Sequence, residues 1–160
     1  MFKGKVFKYG DDINTDVIFP GKYTYTVSDP EEMVNYAMED LDPEFKKNVK
    51  PGDFVVAGKN FGCGSSREQA ATCLKMSGIT AVIAVSFSRI YFRNAINNGM
   101  LAITCPEAVD AIEDKMEIIV DVEKGIIKAG NKEIKFPPIP ASVSEILNNG
   151  GLIPHLKKNL

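Results

Sequence analysis

Histidine occurs once in these 160 residues, at His155, and cysteine three times, at Cys63, Cys73 and Cys105. A single histidine in the polar tail HLKKNL cannot readily supply a serine–histidine triad or a histidine metal site. An odd number of cysteines without CxxC spacing argues against a disulfide framework and against a self-contained zinc or iron–sulfur site. No metal or cofactor site is therefore expected in the chain, and any such partner would come from another polypeptide. No apolar run approaches the length of a bilayer. The opening MFKGKVFKYG lacks the apolar stretch and cleavage site of a signal peptide, so a cytoplasmic protein is expected. With a formal charge of −2 and scattered positive residues, no face is marked for nucleic acid.

What is present is enough for one ordinary domain over residues 1–160. KGKVFKY alternates as a short edge strand would. The long stretch GDDINTDVIFPGKYTYTVSD follows, and loops of that length are functional or disordered. Val17, Ile18, Phe19, Tyr23 and Tyr25 offer apolar anchors, which favours an ordered, functional loop. Asp29 and Pro30 then start a helix expected to reach about Asp40, with a short turn near Glu44–Lys47.

From residue 53 the pattern becomes regular. DFVVAG, TAVIAVS and MLAIT read as buried strands, and SREQAATCLKMSG, SRIYFRNAINNG and PEAVDAIED as the helices after them. Such alternation implies right-handed crossovers and a mostly parallel sheet covered by helices. MEIIVDVEKGIIKAGNKEIKF adds three short antiparallel strands, with Gly130-Asn131 as a hairpin turn. Pro137, Pro138 and Pro140 end the sheet, and Ser142 with Glu145 is expected to cap a last helix. The fold class is α/β with a small antiparallel appendage.

The chemistry concentrates in GKNFGCGSSREQA, residues 58–70. It is no Walker loop, because Gly64 stands where the lysine belongs, and it matches neither G-x-G-x-x-G nor G-x-S-x-G. Two readings fit the local pattern. Ser65-Ser66-Arg67-Glu68 is a capping box, which would be structure alone. It is also a helix start offering free N–H groups, two hydroxyls and a guanidinium to an anion. A cap needs only one hydroxyl and has no use for glycines on both sides of Cys63; such glycines allow close approach to the backbone. A carboxylate held by Arg67 would put its α-carbon near a serine, where a base takes a proton in β-elimination. With no histidine to activate that serine, an electropositive site would have to stabilise its alkoxide.

Three segments resemble the swivelling domain of the aconitase superfamily. GKNFGCGSSREQA is similar to its G-x-N-F-G-x-G-S-S-R-E-x-A signature, Asn14–Pro20 to its N-T-D-x-I-x-P element, and SFSRIYFRNAINNG to a third family segment. Length and motif set resemble the free-standing small subunits of the 3-isopropylmalate dehydratase family. The resemblance implies a swivelling β/β/α domain of the aconitase type. It implies a hydro-lyase subunit that works with a large subunit carrying a [4Fe–4S] cluster, on a small branched hydroxy-dicarboxylate. Carried onto matching positions, Ser65 is the general base, Arg67 the carboxylate clamp, and Asp16 orients Arg67 or the serine through a buried charge pair. Ser66 bonds substrate or caps the helix, and Gly64 is a further substrate-binding position. The reaction implied is dehydration of 2-isopropylmalate and rehydration to the 3-hydroxy isomer, a step of leucine biosynthesis.

The loop after the N-T-D element faces the variable part of the substrate in such proteins. Here it reads Lys22-Tyr23-Thr24-Tyr25-Thr26, with no arginine between Asp11 and Asp29. Leaving an unpaired carboxylate against Thr24 and Tyr25 would be costly, whereas a branched alkyl group would fit. Lys22 is the one cation there that could serve a third carboxylate. Dimethylmalate, citramalate and homoaconitate dehydratases share the scaffold, and a carboxylate-binding regulatory domain without chemistry is the reading from another class. Arg89, Arg93, Asn94 and Asn97 read as a polar network or subunit contact, with Ile90, Phe92 and Ile96 in the core.

Overall fold

The computed structural model describes residues 1–160. Seven strands form one sheet: β1 (Phe2–Lys8), β2 (Phe54–Ala57), β3 (Ala81–Ala84), β4 (Leu101–Thr104), β5 (Glu117–Asp121), β6 (Ile126–Ala129) and β7 (Lys132–Lys135). Their order across the sheet is β4-β3-β2-β1-β5-β6-β7. The half from β4 to β1 is parallel, and β1 through β7 on the other side is antiparallel.

Strand alternation sorts the core into two layers. Val55, Ala57, Val82, Ala84 and Ala102 face one side, under the helices α4 (Gln69–Met76) and α5 (Arg89–Asn97) and the loop residues Ile13, Ile18, Phe19 and Val27. Phe54, Val56, Ala81, Ile83, Leu101 and Ile103 face the other, with α6 (Pro106–Ala111) and the antiparallel strands. β2 and β3 are buried at every position, which is why they read as unbroken apolar runs. Gly130-Asn131 makes the expected two-residue turn, pairing Ala129 with Lys132.

Four expectations are corrected. β1 is not an edge strand but lies between β2 and β5, with a parallel neighbour on one side and an antiparallel one on the other. The helix begun by Asp29 and Pro30 stops early, as α2 (Pro30–Met33) and one 3-10 turn to Tyr36. Met38 takes a left-handed φ of 60° and donates its N–H to Ile18 O at 2.7 Å, so burying this methionine ends the helix. After α1 (Thr15–Ile18) and α3 (Phe45–Asn48), the next departure is at the C-terminus. There α7 (Ala141–Asn148) starts at Pro140 with no side-chain cap, so Ser142 and Glu145 form no capping box. The tail is helical too: Gly150 and Gly151 turn the chain into α8 (Leu152–Lys158), where His155 Nδ1 meets Asn149 Nδ2 at 2.8 Å. No helix is long and apolar enough to cross a membrane.

Tyr91 is buried on α5 with its ring directly over Gly62, whose φ is 81°. A β-carbon at Gly62 would therefore be strained in the backbone and overlap the ring at once. We expect Gly62→Ala to lower stability by about 3 kcal/mol, from left-handed strain plus overpacking. In a chain of this size that is a fall in Tm of roughly 6–12 °C by calorimetry. An unchanged Tm would show that the turn relaxes away from Tyr91.

Candidate active site

The segment 58–68 leaves the carboxyl end of β2 and climbs to α4, the place where open parallel sheets bind ligands. It has little regular structure, so its shape is set by side chains reaching in from elsewhere. From the N-T-D element, Thr15 donates its N–H to Cys63 O at 2.8 Å and its hydroxyl to Ser65 O at 2.8 Å. Asn14 caps α1 by accepting the Asp16 N–H, and its amide lies against Gly64. From the third motif, Ser88 donates its hydroxyl to Gly62 O at 2.8 Å, while Tyr91 donates to Ala70 O at 3.1 Å. Burial holds the Tyr91 phenol well above its ordinary pKa, so it stays a donor.

This accounts for the two glycines in a way not foreseen from sequence. The groups that approach Gly62 and Gly64 closely are Tyr91 and Asn14 of the same chain: a β-carbon at Gly64 would lie 2.6 Å from Asn14 Oδ1. The capping box is also corrected. Glu68 occupies the cap position of α4 without a side-chain bond to the helix's own N–H groups, and Ser65 and Ser66 are exposed ahead of it. Their hydroxyls are free because the turn is already fixed from Thr15 and Ser88. The N–H groups of Gly64, Ser65 and Ser66 have no acceptor within the chain.

Arg67 lies under this turn. Its Nη2 pairs with Asp16, its Nη1 donates to Thr24 Oγ1 at 2.9 Å, and its Nε is buried without an acceptor. Gly21 gives the pair room, since a β-carbon there would sit 3.2 Å from both Arg67 Nη1 and Asp16 Oδ1. The expected buried pair is half correct: the Arg67 side chain is 14% exposed, Asp16 60%. Asp16 stands at the first turn of α1, open to solvent on its far side.

The loop Tyr23–Thr26 divides. Thr24 touches Arg67. Tyr23 turns away, stacked on Tyr36 with centroids 4.0 Å apart and bonded to Glu39. Desolvation, then the bond to Glu39, raises its pKa. Lys22 Nζ lies 3.8 Å from Glu39 and 5.1 Å from the Tyr23 ring centroid. Tyr25 anchors nothing, being 98% exposed, and Thr26 is exposed beside it; Ile13 and Val27 take the core positions instead. Likewise Ile90 is 52% exposed, because one helical step from buried Tyr91 swings it outward. Arg89 and Arg93 are exposed and make no ion pair, so no network forms through them.

Comparison with known proteins identifies the family. The family model described as the aconitase C-terminal domain matches residues 4–108. The 3-isopropylmalate dehydratase small subunit of Caldicellulosiruptor saccharolyticus is 52% identical over 162 residues, covering 100% of this chain and 93% of its own. A small subunit 1 of the same name from Archaeoglobus fulgidus is 53% identical, covering 96% of each. This chain belongs to the aconitase family, among the 3-isopropylmalate dehydratase small subunits. The crystal structure of a 3-isopropylmalate dehydratase from Methanocaldococcus jannaschii superposes with a TM-score of 0.93 at 46% identity, covering 99% of this chain and 94% of that one. The swivelling-domain fold follows.

The cysteines of this family member are dispersed. Cys73 and Cys105 are buried on opposite faces of the sheet, and only Cys63, in the serine turn, is half-exposed. No three histidine, cysteine or acidic side chains converge as a metal site. Burial pushes the Cys73 thiol far above its ordinary pKa. With a maleimide reagent on the native chain, mass spectrometry should find Cys63 alone modified, and all three only after denaturation. Native labelling of Cys73 would contradict the packing of α4.

Proposed function

We propose that this chain is the small subunit of a hydro-lyase that interconverts 2- and 3-isopropylmalate by dehydration and rehydration, as the names of its relatives indicate. The observation that carries the reading is an exposed Ser65 held on a turn whose N–H groups are free, with Arg67 fixed beneath it. Ser65 is the general base: it takes the proton from the carbon beside one carboxylate and returns it to the neighbouring carbon during rehydration. Its alkoxide is stabilised by the free N–H groups of the turn and the Arg67 charge. Arg67 also binds a substrate carboxylate, and Asp16 and Thr24 hold its fork in place. Ser66 bonds the substrate, and Gly64, packed against Asn14, shapes the turn that presents it.

Hydroxide is a poor leaving group, and nothing in this chain can accept it. The dispersed cysteines do not fit an iron–sulfur centre in this chain, and a [4Fe–4S] cluster held by a large subunit would meet that need. That cluster, when bound, supplies the Lewis acid for the departing hydroxyl. The exposed turn carrying Ser65 and Ser66 is the face the large subunit would cover.

Substrate choice is supported by charge. Lys22, the one cation in the loop, is engaged by Glu39, and no arginine stands there. Thr24, Tyr25 and Thr26 therefore meet a branched alkyl group in place of a third carboxylate.

Reconstitution tests the proposal. Mixed anaerobically with a cluster-loaded large subunit, the chain should turn over 2-isopropylmalate in preference to citramalate, dimethylmalate and homocitrate. Ser65→Ala should abolish that activity while the subunits still associate; retained turnover would remove Ser65 from the base role. Arg67→Lys should lower kcat/KM at least about tenfold, because an ammonium cannot bind a carboxylate through two parallel bonds. Unchanged kinetics would contradict the clamp.

A further inference from the structure

Two residues beyond Arg67, Gln69 reaches out of the first turn of α4 towards the substrate-side loop. Its Nε2 donates to Thr24 O at 2.9 Å and lies 3.4 Å from Val27 O. No other group in the chain donates to either carbonyl. Thr24 is thus gripped twice: Arg67 takes its hydroxyl, Gln69 its carbonyl. At the far end of the loop Val27 is buried in the core.

We propose that Gln69 is a positioning residue for substrate recognition, locking loop 24–27 onto the helix that presents Ser65 and Arg67. The lock addresses only main-chain carbonyls. It therefore sets the distance between loop and serine turn whatever side chains stand at positions 24–26, and leaves those side chains to select the substrate. A neutral amide donor suits the position. A carboxylate would face two carbonyl oxygens without a proton to offer, and an ammonium would add a second charge beside Arg67. Without a donor, two partly buried carbonyls lose their only partner and the loop loosens. Discrimination should suffer before chemistry does, because the serine turn is held independently by Thr15 and Ser88.

This inference rests on the small-subunit reading for its kinetic arm alone. In the free chain, Gln69→Met should speed amide hydrogen exchange across residues 23–28 by about tenfold, one hydrogen bond's worth. In the enzyme reconstituted with its large subunit, the same variant should raise KM for 2-isopropylmalate by about tenfold and change kcat by less than about threefold. Gln69→His, which keeps an N–H at similar reach, should restore both. Unchanged exchange and KM in Gln69→Met would overturn the proposal. So would a fall in kcat at constant KM, which would tie Gln69 to the serine itself. Should Gln69→Met not fold, Gln69→Asn, whose donor is withdrawn by one methylene, is judged by the same outcomes. A wild-type enzyme inactive on 2-isopropylmalate would defeat the substrate reading and leave the exchange arm to decide on Gln69.

Discussion

The site depends on two hydroxyls that belong to other parts of the chain. Thr15 and Ser88 donate to the carbonyls of Ser65 and Gly62, so a turn without a helix or ladder of its own is held at both ends. Buried carbonyls need donors, and a glycine-rich segment would otherwise find them in many conformations. Supplying the donors from fixed positions on α1 and before α5 leaves one conformation. In it Ser65 and Ser66 keep their hydroxyls outward, and their N–H groups are not consumed by a helix. The three sequence motifs are thus a single object in space: one carries the chemistry and two hold it still.

The charge pair works within the same frame. An ion pair with one partner open to water contributes no more than about 1 kcal/mol, so Asp16 is a weak source of stability for Arg67. Its value lies in direction. Asp16 and Thr24 take separate arms of the guanidinium and so orient it, while the buried Nε goes unpaired at a cost of about 1–3 kcal/mol. An arginine so constrained has little freedom to turn its guanidinium elsewhere.

Much of this was legible in the residues. The strands showed because apolar runs of β-branched residues have few other uses, and the parallel half showed because helices alternated with them. The position of β1 was not legible, since pairing partners leave no trace in a strand's own alternation. Nor was the end of the helix after Pro30, which depends on Met38 finding a hole near Ile18. Within the site, Ser65, Arg67 and Asp16 stood out through their motifs, and the structure brings Asp16 and Arg67 into contact across fifty positions of sequence. Gly62 and Gly64 announced close approach, but sequence could not say that the visitors are Tyr91 and Asn14. The roles of Thr15 and Gln69 were hidden because both act on carbonyls, and main-chain atoms carry no sequence signature.

An exposed serine beside an arginine is chemically inert in water. The solvent screens the guanidinium and solvates any base, so the pKa of the hydroxyl stays far above neutrality and no proton is taken. The same atoms become potent only when water is excluded, because each fixed N–H and the Arg67 charge then act through a low dielectric. This chain cannot exclude water from its own serine turn: Ser65 and Ser66 stand exposed, and so does the loop residue Tyr25. The geometry is that of half a site, rigid where it must aim and open where another surface must close it. On the proposed reading, docking of a partner would supply the exclusion of water that the exposed rim lacks.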